Sequence, residues 1–481
     1  MLAALVIAAL AGFAYYSYFG SRSQAITSIA VLPFTNASGD PNTEYLSDGI
    51  SESLIDNLSQ LPGMKIIARS STFKYKGKEV DPQEVATALG VRAILSGRVM
   101  QRGDQLQVRA ELIDGRDRTQ VWGEQYNRNA ADVLQVQSEI SREIAETLRV
   151  RLTAGEQQQL AKRETANPQA YELLLKGRFY SGKGGAENQK KALEYFRQAI
   201  AVDPTYALAY AELSASYSSL VGTSSLDPKE FTPKAEAAVR KALELDESLA
   251  EAHLALANIK LNTWDWATAE REYQRAIELN PNLAEAYRWF STYHTVRGRH
   301  EQAIAEAKRA RELDPLSLAV SADVGFSLVF ARQYDQGLEF LKKTLELDQN
   351  NSQPHVYLAY LYMAKGMYPE AIAEYQEMIK LDGDSTSVQI YLGAAYAKAG
   401  ERGKAQEILK RLQTSKDYVS PGELPVLYAA LGEREQAFAS LEKAYQAHDL
   451  QLQYLGVDPA LDSLRGDPRF QDLMRRVGLG P

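Results

Sequence analysis

The spacing of apolar and polar positions changes twice along the chain, and each change marks a different kind of element. Residues 2–19 carry no charged side chain, and such a run in helical form spans ~27 Å, close to the hydrocarbon thickness of a bilayer. Tyr15, Tyr16 and Tyr18 crowd one end of it, where amphipathic rings settle at the headgroup level. These rings spoil the small-residue pattern of a signal-peptide cleavage site, and no Lys or Arg precedes the run. The pattern therefore predicts a retained transmembrane helix over 1–20. Arg22 is the cation flanking it, and taken alone it favours a cytoplasmic body.

The next stretch alternates between strand and helix periods. Residues 29–34 form a short apolar run that ends in Asn36, Ser38, Gly39, Asp40 and Pro41, which reads as a buried strand entering a loop. Leu46, Ile50, Leu54, Ile55, Leu58 and Leu61 recur at three and four, the spacing of one helix face, and Pro62-Gly63 stops the helix. A second strand is expected over 64–68. Asp81 and Pro82 read as the N-cap and first position of a short helix that runs to Leu89 and ends at Gly90. Residues 91–100, 105–113 and 119–126 alternate apolar with polar between turn-forming sequences and predict a meander. Val133, Val136, Ile140, Ile144, Leu148 and Leu152 mark a closing amphipathic helix.

Four phrases of this stretch, Ile29-Ala30-Val31-Leu32-Pro33-Phe34, Tyr45-Leu46-Ser47-Asp48-Gly49-Ile50, residues 89–97 and Val121-Trp122-Gly123-Glu124-Gln125-Tyr126, resemble the TolB amino-terminal-like domain family. The resemblance implies an α/β extracytoplasmic domain over 27–152, used in assembly or sensing. It supplies no catalytic residues.

From residue 168 the pattern becomes periodic at a larger scale. Pro281, Pro315, Gln349, Gly383 and Asp417 each follow a helix with an apolar end, and consecutive members lie 34 residues apart. That period means a solenoid of helix pairs. Small residues recur at Ala269, Ala303, Gly337, Ala371 and Ala405, and bulky ones sit four positions on at Tyr273, Leu341, Tyr375 and Leu409, with Ala307 the exception. This is the tetratricopeptide pattern, in which small residues allow two helices to approach and a large side chain fills the space between them. About eight pairs are expected over 168–449, with 450–481 as a C-terminal cap. The fold class is thus a transmembrane helix, an α/β domain and an all-α tetratricopeptide solenoid.

Composition narrows the chemistry. The net charge of −8 leaves no general basic surface, and no nucleic-acid partner is expected, because phosphate contacts need Lys and Arg. The chain has no cysteine and five histidines, which removes disulfides and thiolate metal sites. Residues 177–184 are one residue short of a P-loop, but they close a repeat's first helix and do not follow a strand. Asp40-Pro41-Asn42-Thr43-Glu44 lacks the glycine of a calcium loop and reads as a helix cap. His253 and His355 are three periods apart, at one packing position of the repeat, and His294 also falls on an inter-helix face. No catalytic, cofactor-binding or metal-binding residues are expected, and the protein is read as no enzyme.

First-helix residues that do not pack between helices line the concave face of such a solenoid. They include Asn258, Leu261, Arg288, Thr292, Phe326, Phe330, Tyr360, Met363, Ile390 and Lys398. Of these, Asn258, Arg288, Phe326, Phe330, Tyr360 and Lys398 are the candidate contacts to a protein or peptide partner, with the three rings as anchors. Leu254 stands where tetratricopeptide domains that clamp a C-terminal carboxylate carry lysine, which argues against that specialised role. The expected function is a membrane-anchored, non-catalytic interaction scaffold in the bacterial inner membrane, single-pass, with a periplasmic body. The alternative is the sensory half of a transmembrane signalling protein (kinase, adenylate cyclase or winged-helix regulator), because the order of anchor, α/β domain and repeats resembles the C-terminal part of such proteins.

Overall fold

A computed structural model of the chain describes residues 25–148, 150, 153, 165–222 and 228–480. The predicted membrane helix over 1–20 lies outside the described residues. Among the described residues no helix is long and apolar enough to cross a membrane. The chain divides into two compact units, residues 1–163 and 164–481.

The first unit is built on a sheet with strand order β3-β1-β4-β5-β6, with β2 also pairing β4. The strands are β1 (Ser28–Val31), β2 (Thr35–Asn36), β3 (Lys65–Ile66), β4 (Ala93–Arg102), β5 (Gln105–Asp114) and β6 (Gln120–Asn129). β1 runs parallel to β3 and β4, and the last three strands form the expected antiparallel meander. Helices α1 (Glu44–Ser59), α2 (Pro82–Leu89) and α3 (Val133–Thr147) belong to the same unit, with a single helical turn at Arg69–Thr72. Ile50, Leu54 and Leu58 of α1, Val136, Ile140 and Ile144 of α3, and Ile29, Ala30 and Val31 of β1 are buried, as their spacing requires. Local chemistry sets the ends. Asp81 accepts a hydrogen bond from the Gln83 amide, Pro82 opens α2, and Gly90 ends it at φ 62°, a left-handed conformation that costs glycine least.

The second unit is a run of eight helix pairs. They are α4 (Pro168–Ser181) with α5 (Ala186–Val202), α6 (Ala207–Gly222) with α7 (Pro228–Leu245), α8 (Ala250–Asn262) with α9 (Trp266–Leu279), and α10 (Ala284–Val296) with α11 (His300–Leu313). The array continues with α12 (Leu318–Phe330) and α13 (Tyr334–Leu347), α14 (Ser352–Ala364) and α15 (Tyr368–Asp382), α16 (Thr386–Lys398) and α17 (Arg402–Gln413), and α18 (Leu424–Leu431) and α19 (Arg434–Ala447). Pro233 lies inside α7.

Ala269, Ala303, Ala371 and Ala405 are fully buried, as are Tyr273 and Leu341. The close approach that the small residues permit is visible at Gly325, where an added β-carbon would come within 2.2 Å of the Leu341 side chain. Two 3-10 turns, Leu450–Tyr454 and Pro459–Leu464, and helix α20 (Pro468–Val477) follow α19.

Candidate functional site

The candidate residues lie on the first helices of their pairs, and the chain's own C-terminal segment packs against several of them. Phe326 and Phe330, one turn apart on α12, lie with their rings 4.5 Å apart. Both are buried, and the ring they face is Tyr454 of the C-terminal segment, at 6.0 Å and 5.8 Å. Tyr360 of α14 continues the row, 6.1 Å from Phe330 and 5.0 Å from Tyr391 of α16. The structure therefore brings the three predicted anchors together, and the tail already uses them.

The other three candidates have different surroundings. Asn258 accepts a hydrogen bond from the Tyr273 hydroxyl at 2.6 Å. Arg288 is held between Asp323 at 2.5 Å and Glu285 at 3.3 Å, and Tyr357 donates to the other Asp323 oxygen at 3.4 Å. Both side chains thus serve the array's internal hydrogen bonding. Lys398, at the end of α16, is exposed.

Beyond the rings, the tail places Asp458 deep in the face. Its carboxylate caps the second 3-10 turn by accepting from the Ala460 amide at 2.8 Å. Burial pushes its pKa up to about 6, against the weaker pull of Arg465. Burial, with the Asp458 charge adding to it, also holds the hydroxyls of Tyr360, Tyr375 and Tyr391 above their ordinary values. Arg465 pins the same stretch by donating to the carbonyls of Gly456 and Asp458 at 2.8 Å and 3.0 Å. Where the tail leaves α19, Asp449 accepts from Ser420 Oγ and the Gly422 amide. Nearby Glu423 accepts from Ser387 and Gln451, and burial pushes its pKa up to about 7. Leu452, Leu455, Val457, Leu461, Leu464, Phe470, Leu473 and Val477 join the core that runs through helix pairs five to eight. The C-terminal segment thus packs its last helix on α19 and sets Tyr454 against Phe326 and Phe330.

The tail and the last pair also meet the third and fourth pairs. Trp264, in the turn between α8 and α9, stacks on His448 at 4.7 Å and on Tyr445 at 5.9 Å. Trp266 Nε1 donates to the Val477 carbonyl at 2.8 Å, and Arg297 donates to the Gly478 carbonyl at 2.6 Å. Arg332, in the turn between α12 and α13, donates to both carboxylate oxygens of Asp462 at 2.9 Å. The turns themselves show why these residues stand out. Gly298, Gly366 and Gly400 occupy one position of the 34-residue repeat and have φ of 70°, 73° and 87°. Trp264 and Arg332 occupy that same position, both with φ 60°, where a side chain costs about 1–2 kcal/mol. Sequence reasoning passed over both, although the absence of glycine at those two turns is legible in the repeat register.

The histidines are packing residues. His253 Nδ1 meets Glu272 at 2.7 Å, and His355 Nδ1 meets Glu374 at 2.5 Å, the same pairing in the third and sixth pairs. His294 is buried, which lowers its pKa to about 4. The glycines resembling a P-loop are structural as well: Gly177 lies on α4, where a β-carbon would come within 2.3 Å of Phe196. Among the described residues no group of three or more His, Asp or Glu is placed to hold a metal ion.

These features define an α/β unit together with a tetratricopeptide solenoid. Comparison with known proteins agrees on the repeats: residues 362–416 match the tetratricopeptide repeat family. Residues 24–143 match the second domain of HilA/YgeH-like transcriptional regulators, where the TolB amino-terminal-like family was expected. Among curated proteins, the putative adenylate cyclase 3 of Rhizobium meliloti (strain 1021) is 41% identical over 187 residues, 39% of this chain and 32% of that protein. The match thus spans about a third of that relative's length. Similar solved structures include PilF of Pseudomonas aeruginosa, 21% identical over 48% of this chain and 96% of that one, with a TM-score of 0.36. The Cut9–Hcn1 assembly of APC/C gives 16% identity over 72% and 76% of the two chains, with a TM-score of 0.42.

Proposed function

We propose that the protein is a non-catalytic interaction scaffold that binds a protein or peptide segment through the concave face of its repeats. The observation that carries this reading is the aromatic row of Phe326, Phe330 and Tyr360, which receives the tyrosine of a non-helical-repeat segment. Large rings in an enclosed face supply contact area at low conformational cost, which is why they dominate binding energetics. Lys398, at the end of α16, is exposed, and we place it on the same face. A photo-crosslinking amino acid placed at 398 in the producing cells is expected to give a discrete protein adduct, and one at exposed Lys343 on a second helix is expected to give none. Equal labelling at both positions, or none at 398, would remove the reading.

The charge-free run over 2–19 supports anchoring in the bacterial inner membrane, and with it goes the proposal of a periplasmic body. Protease added to intact spheroplasts should then destroy a C-terminal tag. Protection until lysis would place the repeats in the cytoplasm.

The second reading is the sensory half of a signalling protein, and the likeness to a protein named as a putative adenylate cyclase favours it. A cyclase, kinase or winged-helix effector encoded upstream in the same frame would support this reading, and a stop codon there would end it.

A further inference from the structure

The strongest unexplained feature of the repeats is the pair of turns that carry side chains where the register carries glycine. Trp264 and Arg332 hold the left-handed backbone of Gly298, Gly366 and Gly400, a conformation unfavourable for any residue with a β-carbon. His448, with φ 52°, is the further residue of this kind among the described residues of the array. Each of the three meets the C-terminal part of the chain or belongs to it. Trp264 stacks on His448, which ends α19, and Arg332 grips Asp462 through both carboxylate oxygens. A random scatter of strained turns would not coincide with the contacts that hold the tail.

The tail between these contacts has the character of a bound segment. It leaves the helical-pair pattern at Leu450 and runs through two short 3-10 turns. It offers the concave face one ring, Tyr454, and one buried acid, Asp458, followed by Pro459. The ring enters the space bounded by Phe326 and Phe330. The acid turns its charge inward, among Tyr360, Tyr375 and Tyr391, and caps its own turn. Gln453 beside the ring keeps a buried side-chain oxygen without a hydrogen-bond partner, so the fit of this segment leaves one polar group unsatisfied.

We infer that the concave groove is a segment-binding site which residues 450–464 fill in cis, that Trp264 and Arg332 are the clasp holding them there, and that in trans the groove takes a segment with a tyrosine followed four residues later by Asp-Pro. Only the last clause rests on the interaction reading above. The clasp stands on the backbone conformations and contacts alone. A strained residue is retained where its side chain does work that glycine cannot, and here that work is closing the groove. Restoring glycine at both turns removes the strain and the grip together, so the repeat helices keep their packing while the tail is freed.

The test uses the full chain and the Trp264→Gly, Arg332→Gly and doubly substituted variants, followed by hydrogen exchange. In the double variant, amides of residues 450–464 are expected to exchange at least tenfold faster than in the parent, with α12 to α15 unchanged. If the tail and those helices exchange together in every variant, the tail is an inseparable part of the array's core and the clasp is overturned. The trans ligand is tested with a labelled synthetic peptide of residues 450–467 added to the same proteins. Binding at least tenfold tighter to the double variant than to the parent, lost in a peptide carrying Tyr454→Ala, supports the groove's specificity. Faster tail exchange without peptide binding overturns the trans ligand while leaving the clasp.

Discussion

The indole of Trp264 lies over the imidazole of His448 at 4.7 Å with 11° between the ring planes. One comes from the third helix pair and the other from the end of the eighth, so this contact joins parts of the array that a simple solenoid keeps apart. Both residues hold left-handed backbone conformations. The repeat array is consequently held by non-local contacts through its tail, in addition to the neighbour-to-neighbour packing that each repeat supplies.

The aromatic row is expected to stabilise the array as well as to bind. Phe330 is buried against Phe326, Tyr360 and Tyr454, and Phe330→Ala should cost ~3–5 kcal/mol, the usual range for emptying a large aromatic site. Urea unfolding of the full chain reads this directly. A loss under 1 kcal/mol would mean that the tail closes the gap by moving inward.

Stability should depend on pH through two buried carboxyls. Burial raises Asp458 from 3.8 to about 6 and Glu423 from 4.5 to about 7. Between each pair of values the folded chain holds a proton that the unfolded chain has released, so stability falls as pH rises through these windows. For Asp458 the fall is ~3 kcal/mol by linkage. His294 acts in the opposite sense: its value is lowered from 6.5 to about 4, so stability falls as pH drops through that window. Asp458→Asn should therefore flatten the decline between pH 4 and 6 relative to the parent in urea unfolding series. Parallel curves for parent and variant would show that Asp458 ionises in the fold as it does in the unfolded chain.

Helix α20 is fastened to α19 by two bidentate ion pairs, Arg469 with Glu435 and Arg476 with Glu442. It is also fastened by Phe470, Leu473 and Val477, all buried. Exposed ion pairs are screened by water and salt, whereas apolar burial is not. Replacing Arg469 and Arg476 by Ala should lower the thermal midpoint less than Phe470→Ala does, and the arginine effect should shrink in high salt. An arginine loss that is larger and salt-independent would reverse this ranking.

In the α/β unit, Gly97 of β4 has no room for a side chain. A β-carbon there would come within 2.4 Å of the Phe34 ring and 2.5 Å of the Arg109 carbonyl. Gly97→Ala should destabilise the unit by ~1–3 kcal/mol, the usual cost of overpacking. Calorimetry reads this, and an unchanged transition would mean that β4 and β5 separate easily.

Much of this architecture is legible in the residues themselves. The 34-residue period, the buried alanines at 269, 303, 371 and 405, and the three-and-four spacing of α1 and α3 report local geometry, because each repeat or helix face buries its apolar side against a near neighbour in sequence. The caps at Asp81 and Gly90 are legible for the same reason, since a helix end is satisfied by residues beside it. What the sequence determined by itself was therefore the helix pairs, the sheet's meander and the aromatic character of the concave face. The tertiary structure decided what lies in front of Phe326, Phe330 and Tyr360. It also decided that Asn258 and Arg288 serve internal partners, and that Trp264 and Arg332 reach His448 and Asp462. The contacts to His448, Asp462 and Tyr454 depend on how successive repeats stack, which brings the tail back against earlier pairs. Small rotations from one pair to the next set that stacking, and no single repeat's sequence records it.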